Sequence, residues 1–249
     1  MASRQLQFRG PVPSAGRREP SRWRARGIPA CLAVVCAVSL VAAVPASART
    51  LFHDGFEAGD FTRWTLVKTT GDGTVALQSQ DVHTGALAAE LSESSRDGST
   101  ALMRRTLRWS QHDLTASGNF RVAAEGADGG SVPLLTFLDS HSARVVSVYR
   151  RNGSGRIGIA EGTTRFETSD ALALNTWGEI TVHAIVDRAN GGSSGVKVRL
   201  NGTLLFQATY ASLARIKTVQ LGNDIPAQEG TVVADDISVS NPLTSSSGS

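Results

Sequence analysis

Beyond the opening residues of its globular part, the chain has no stretch of useful length with a helical repeat. Short runs instead alternate apolar and polar residues between clusters of Gly, Asn, Asp and Ser. Alternation with a period of two gives a segment one face for a core and one for water, which is the pattern of an antiparallel strand. Leu87, Ala89 and Leu91 alternate with Ala88, Glu90 and Ser92, and Phe120, Val122 and Ala124 alternate with Arg121 and Glu125. Such runs arrive roughly every ten residues with turn signals between them, so the chain is predicted to be all-β, an antiparallel jelly-roll β-sandwich. A βαβ architecture would need crossover helices, and none is visible in the pattern.

The middle of the chain carries the best-defined strands, predicted at 132–138, 143–151 and 155–160. The last two are joined through Asn152-Gly153, whose pairing favours a tight hairpin turn. A further strand is predicted to open at Trp177 and run to Val186, with Ile180, Val182, Ala184 and Val186 inward and Glu179, Thr181 and His183 outward. Trp177 is expected at the core edge. Val196, Val198 and Leu200 then alternate with Lys197 and Arg199, and Asn201-Gly202 turns the chain into residues 203–206. Strands at 217–221 and 231–240 complete the set.

The first 48 residues hold seven arginines and one glutamate, then an apolar run from Ile28 to Val44 and the small residues Ala46 and Ala48. That order is a secretory signal, with cleavage expected before Arg49. The run is short for a spanning helix, so the mature chain is read as secreted and free of the membrane. The expected organisation is a signal at 1–48, one sandwich domain at 49–240 and a disordered serine-rich tail at 241–249. Without the signal, Lys and Arg fall from 25 to 18 and Asp and Glu from 22 to 21. The basic pI therefore belongs to the signal and gives no support to nucleic-acid binding. Both cysteines leave with the signal, so no disulfide staples the domain.

Two acidic clusters lie at opposite ends of that domain. Asp54, Glu57 and Asp60 sit among glycines and the aromatics Phe52, Phe56, Phe61 and Trp64, while Asp235-Asp236 lies in the last predicted strand. The two clusters are expected to meet and clasp the sandwich around a cation. Alternation places Asp235 with Val233, Ile237 and Val239, on the expected core side, where a carboxylate needs a partner or a metal.

Four segments together resemble the concanavalin A-like lectin/glucanase superfamily, more narrowly its laminin G-like, pentraxin-like and heparin-lyase-like bacterial members. They are Phe52-His53-Asp54-Gly55-Phe56-Glu57-Ala58-Gly59 with Trp64, Leu174-Asn175-Thr176-Trp177, the strand and turn from Val196 to Gly202, and Ala234-Asp235-Asp236-Ile237-Ser238-Val239. The resemblance spans nearly the whole mature chain and implies that the first and last strands pair. It also implies a structural calcium held by Glu57 and one of Asp235 or Asp236, with Asp54 and backbone carbonyls near Gly59 as further donors. A hard cation wants such oxygen ligands. Members of the superfamily include lectins, adhesion domains, hydrolases and lyases, so the resemblance specifies fold far better than function.

The chemistry is thin. A laminarinase-type Glu-x-Asp-x-x-Glu triplet is absent, and Glu161 and Glu167 lie six apart across a turn, which argues against retaining hydrolysis. No Gly-x-Ser-x-Gly, Walker loop or His-Glu-x-x-His occurs. A polysaccharide lyase acting on an acidic glycan would need a base beside groups that neutralise a uronate. His141, Tyr149, Arg150 and Arg151 are the candidates for that reading. Arg144, Tyr149, Arg151 and His183 are the candidates for noncatalytic binding of an extracellular polysaccharide, which is the first reading; an adhesion domain with a protein partner is the third. Strand alternation predicts that Tyr149 and Arg151 share one face while Arg144 and Arg150 share the other. Trp109 is expected in the core, and His53, His83 and His112 are read as turn or edge residues without partners.

Overall fold

The protein is described from a computed structural model, over residues 48–162, 164–186 and 193–242. The expected signal lies outside these residues apart from Ala48, and so does the expected tail apart from Asn241 and Pro242. Fifteen strands and no helix occur among the described residues. In chain order they are β1 (Ala48–Asp54), β2 (Leu66–Thr70), β3 (Thr74–Gln78), β4 (Ala88–Glu93), β5 (Thr100–Gln111), β6 (Asp113–Glu125), β7 (Ser131–Leu138) and β8 (Arg144–Arg151). They continue as β9 (Arg156–Glu161), β10 (Thr164–Ala171), β11 (Gly178–Ile185), β12 (Ser194–Leu200), β13 (Thr203–Tyr210), β14 (Ile216–Asn223) and β15 (Gly230–Pro242).

Every pairing is antiparallel. The eight-stranded sheet has the order β13-β12-β11-β6-β15-β4-β3, with β1 also on β15; the seven-stranded sheet has the order β10-β9-β8-β7-β14-β5-β2. The first and last described strands therefore pair as expected, Asp54 opposite Ile237 and Ala48 opposite Pro242, and β15 carries on into the segment expected to be tail.

The core lies between the sheets. Phe120, Val122, Ile180, Val182, Val196, Val198, Ile237 and Val239 of the larger sheet are buried with Met103, Leu135, Phe137, Val146, Val148, Ile159 and Leu221 of the smaller. Each fully buried side chain of this size contributes about 1.5–3 kcal/mol, so burial of alternate residues carries the fold without disulfides. The Asn201-Gly202 turn has both residues at positive φ, 49° and 78°, the geometry of a type I′ hairpin. At the β8–β9 turn the positive φ angles fall on Gly153 and Gly155 instead of an Asn-Gly pair, and the Asn152 backbone N–H donates to Gly130 O.

Two bulges change which side chains face outward. Between Phe137 and Leu138 the partner on β8 jumps from Val146 to Arg144, passing over Val145. This moves Arg144 off the face it was expected to share with Arg150. On β15 the ladder to β6 shifts between Asp235 and Ser238, and Asp236 has φ 52°. Val232 and Ala234, then Ile237 and Val239, face the core as a result. Asp235 stands opposite Asn119 on the outer side of the sheet, contrary to the alternation expected from the sequence.

Candidate functional site

The outer face of the seven-stranded sheet carries one polar rung across four strands, which ends against a fifth. Arg104 on β5 stands opposite Gln220 on β14, Gln220 opposite Thr136 on β7, Thr136 opposite Ser147 on β8, and Ser147 opposite Ala160 on β9. Apart from Ala160 these residues are polar yet largely covered; Gln220 is 1% exposed. Two of the rung's steps are hydrogen-bonded. Arg104 Nε donates to Gln220 Oε1 at 2.7 Å, and the Thr136 and Ser147 hydroxyls lie 2.7 Å apart. Arg104 also pairs with Asp224 at 3.1 Å, and Arg144 pairs with the other oxygen of the same carboxylate. One carboxylate thus aligns two guanidinium groups.

The neighbouring rung places Tyr149 between Pro133 and Gly158. A Cβ at Gly158 would overlap the Tyr149 ring, so only glycine lets the ring lie flat on β9. Arg165 sits 6.0 Å above that ring. Arg144, Ser147, Tyr149, Arg165, Ile225 and Gln228 line a recess of about 90 Å³. Its size suits a carboxylate or hydroxyl group, so a chain of sugars would lie across it with one substituent seated.

Of the residues singled out in the sequence, Arg144 and Tyr149 come together here. Arg151 shares the Tyr149 face but is engaged with Glu167 at 2.9 Å. Arg150 faces the other way. It is buried, with Nε bonded to Leu172 O and its guanidinium paired with Glu125 of the opposite sheet, so it joins the two sheets and cannot reach a ligand at Tyr149. His141 lies in the β7–β8 turn, highly exposed, bonded through its backbone N–H to Asp139 and lining a different hollow. His183 is on the eight-stranded sheet, 2.8 Å from Asp113. Neither histidine joins Tyr149. Arg104, Gln220, Asp224 and Arg165 were not singled out in the sequence, because their meeting depends on strand order; the alternation of Gln220 between Val219 and Leu221 was the available signal.

The acidic clusters form a second arrangement, on the eight-stranded sheet. Asp54 is buried, and its two oxygens accept from Phe56 N at 3.0 Å and Trp64 Nε1 at 2.8 Å. Phe52, Phe56 and Trp64 pack as buried aromatic neighbours around it. Glu57 Oε1 accepts the N–H groups of Ala86 and Leu87, crossing over Gly85, where a Cβ would strike the carboxylate. Asp235 Oδ2 accepts from His83 N and Thr84 N. Asp236 lies 2.9 Å from His83 Nδ1 and accepts the Thr84 hydroxyl at 2.7 Å. The two clusters are therefore clasped through a third segment, residues 83–87, to which no sequence pattern pointed. His83, read as unpartnered, is one of its fasteners and also meets Trp177 edge-on at 5.5 Å.

Burial raises the Asp235 carboxyl above its ordinary range against the backbone donors. Burial also acts upward on Asp236, but the His83 and Thr84 hydrogen bonds and the His83 charge outweigh it and hold that group low. Asp54, Asp235 and Asp236 accept protein hydrogen bonds on both oxygens, and among the described residues no three His, Cys, Asp or Glu side chains are grouped to hold a metal. As arranged, the residues expected to bind calcium form a clasp whose carboxylates accept protein hydrogen bonds. Gly59 turns the loop at φ 75° with its N–H on Phe56 O.

No protein-family model and no curated protein matches the chain. Among solved structures it is similar to an endo-β-1,4-glucuronan lyase from the fungus Trichoderma reesei, with TM-score 0.61 and 11% identity over 78% of this chain and 97% of that one. It is also similar to a cellulose induced protein, TM-score 0.60 and 16% identity over 76% of this chain and 96% of that one. A carbohydrate esterase from the Shiga toxin-encoding bacteriophage phi24B follows at TM-score 0.58 and 14% identity, over 79% of this chain and all of that one. These likenesses show the fold, a jelly-roll β-sandwich, in agreement with a concanavalin A-like architecture. At such identity they carry no activity across.

Proposed function

We propose that the protein is a secreted, noncatalytic module that binds an acidic polysaccharide across the outer face of the seven-stranded sheet. The observation that carries this reading is the pair Arg104 and Arg144, both aligned by Asp224 beside the Tyr149 recess. Guanidinium groups in fixed orientation suit a carboxylate, and a flat aromatic ring suits the apolar face of a sugar. Two of the similar solved structures, the glucuronan lyase and the carbohydrate esterase, act on carbohydrate by their titles, which supports a glycan as the partner. Calcium is part of the proposal as a weak occupant of the clasp. Glu57 and one of Asp235 or Asp236 would hold it after giving up amide donors, and it would add rigidity at the joined ends.

A second reading is favoured by one observation: the Tyr149 side chain lies in the recess that Arg144 and Arg165 share. A lyase needs that juxtaposition. A base removes the proton α to the uronate carboxylate, a double bond forms as the C4–oxygen bond breaks, and the departing oxygen takes a proton. The test is a glycan array on the mature protein with alginate, glucuronan and neutral xylan, read together with ultraviolet absorbance of an unsaturated uronate. Retention on the acidic polymers without absorbance is the expected result; product formation replaces binding with elimination, and no retention on any glycan overturns both.

A further inference from the structure

The ladder between β5 and β14 breaks at one place. Ile216 pairs with Gln111, but two residues on, Thr218 pairs with Thr106, so the stretch 107–110 has extra residues that bulge from the sheet. Trp109 sits on that bulge and is 68% exposed, far more than the core position its sequence suggests. An indole presented to water in this way gives up apolar burial that the fold could use. The bulge is held in place: Lys217 Nζ donates to Arg108 O at 2.9 Å, and Gln111 Nε2 donates to Trp109 O at 2.7 Å. The Arg108 guanidinium lies 5.4 Å from the indole centroid. Ser110, the residue after Trp109, lines a hollow of about 460 Å³ with His141 and Arg215, larger than the recess at Tyr149. Arg108 and Arg215 have no ion-pair partner among the described residues, so the surroundings are net cationic despite Asp139.

We infer that Trp109, with Arg108 and Arg215, forms a second contact for the same acidic polysaccharide, a stacking shelf outside the Tyr149 recess. The inference rests on the proposed reading of that recess. Its occupant is fixed by charge and shape: a ring face selects a flat apolar surface, and the Arg108 guanidinium near it, with Arg215 at the hollow that Ser110 lines, selects anionic substituents. The shelf lies at the Ile216 end of β14, four residues from Gln220, or on the order of 13 Å along the strand. A long chain can engage both places, and a disaccharide only one. Engagement at two points raises apparent affinity without any change in either contact.

The experiment uses the full mature chain with alginate and glucuronan as polymers and with their disaccharides. The probe variants are Trp109→Ala, Trp109→Phe and, for the recess, Arg144→Ala. Exposure of Trp109 makes a folding defect unexpected, and thermal melts check this. Trp109→Ala is expected to weaken polymer binding by about tenfold or more, to leave disaccharide binding unchanged, and to be largely rescued by Trp109→Phe. Arg144→Ala is expected to weaken both ligands. Unchanged polymer binding in Trp109→Ala overturns the shelf and leaves the recess standing; equal weakening of polymer and disaccharide overturns the separation of the two contacts. If Arg144→Ala has no effect while Trp109→Ala abolishes binding, the recess fails and the shelf is the primary site. Failure of the wild-type chain to bind either polymer overturns both.

Discussion

Tyr149 lies across Gly158 on the neighbouring strand, in a space that a Cβ at position 158 would fill. Gly158→Ala is expected to lift the ring from the sheet, cost about 1–3 kcal/mol of stability through overpacking, and lower affinity for acidic glycan along with Tyr149→Ala. Calorimetric titration and thermal melts check it. Intact binding in Gly158→Ala would show that the ring orientation does not matter to the ligand.

Buried Arg150 and partly buried Glu125 join the two sheets as an ion pair, where removing the carboxylate strands the buried guanidinium. Glu125→Ala is expected to destabilise the domain by about 3–5 kcal/mol, and the double replacement Arg150→Met with Glu125→Leu to recover much of that loss. Chemical denaturation of the single and double variants measures it. Glycan binding by the double variant is expected to match wild type, since neither side chain reaches the recess.

Glu93 carries a carboxyl shifted into the neutral range. Burial pushes its carboxyl up to about 7, against the hydrogen bond from Asn223. The folded state thus keeps the proton over a range, from about 4.5 to about 7, in which the unfolded chain has released it, so stability falls as pH rises through that window. Melting temperature is expected to decline from pH 5 to pH 7.5, and Glu93→Gln to flatten the decline. An unchanged slope in the variant would place the effect elsewhere.

The clasp gives a separate test. Asp235→Ala removes the acceptor for His83 N and Thr84 N and is expected to destabilise by about 1–3 kcal/mol through stranded donors. Under the calcium proposal, millimolar calcium raises the melting temperature and Glu57→Gln abolishes the rise. A rise that persists in Glu57→Gln would remove that side chain from the site.

The strands were legible in the sequence because burial of one face imposes a period of two that can be read locally, as from Ile180 to Val186. The pairing of the first and last strands was implied by family resemblance and is present as Asp54 opposite Ile237. The site was legible only in part. Tyr149 and Arg144 stood out as residue types, yet strict alternation set them on opposite faces, and the bulge that passes over Val145 reunites them.

The sequence by itself determined an all-β chain, the inward residues of most strands, and the Asn201-Gly202 turn, since each depends on neighbours a few positions apart. Tertiary structure alone decided where the alternation slips and which strands lie side by side. That choice exposes Trp109, turns Asp235 away from the core, and brings Arg104 and Gln220 beside Thr136. Bulges and strand order follow from the fit of distant ladders, a balance that no single strand contains.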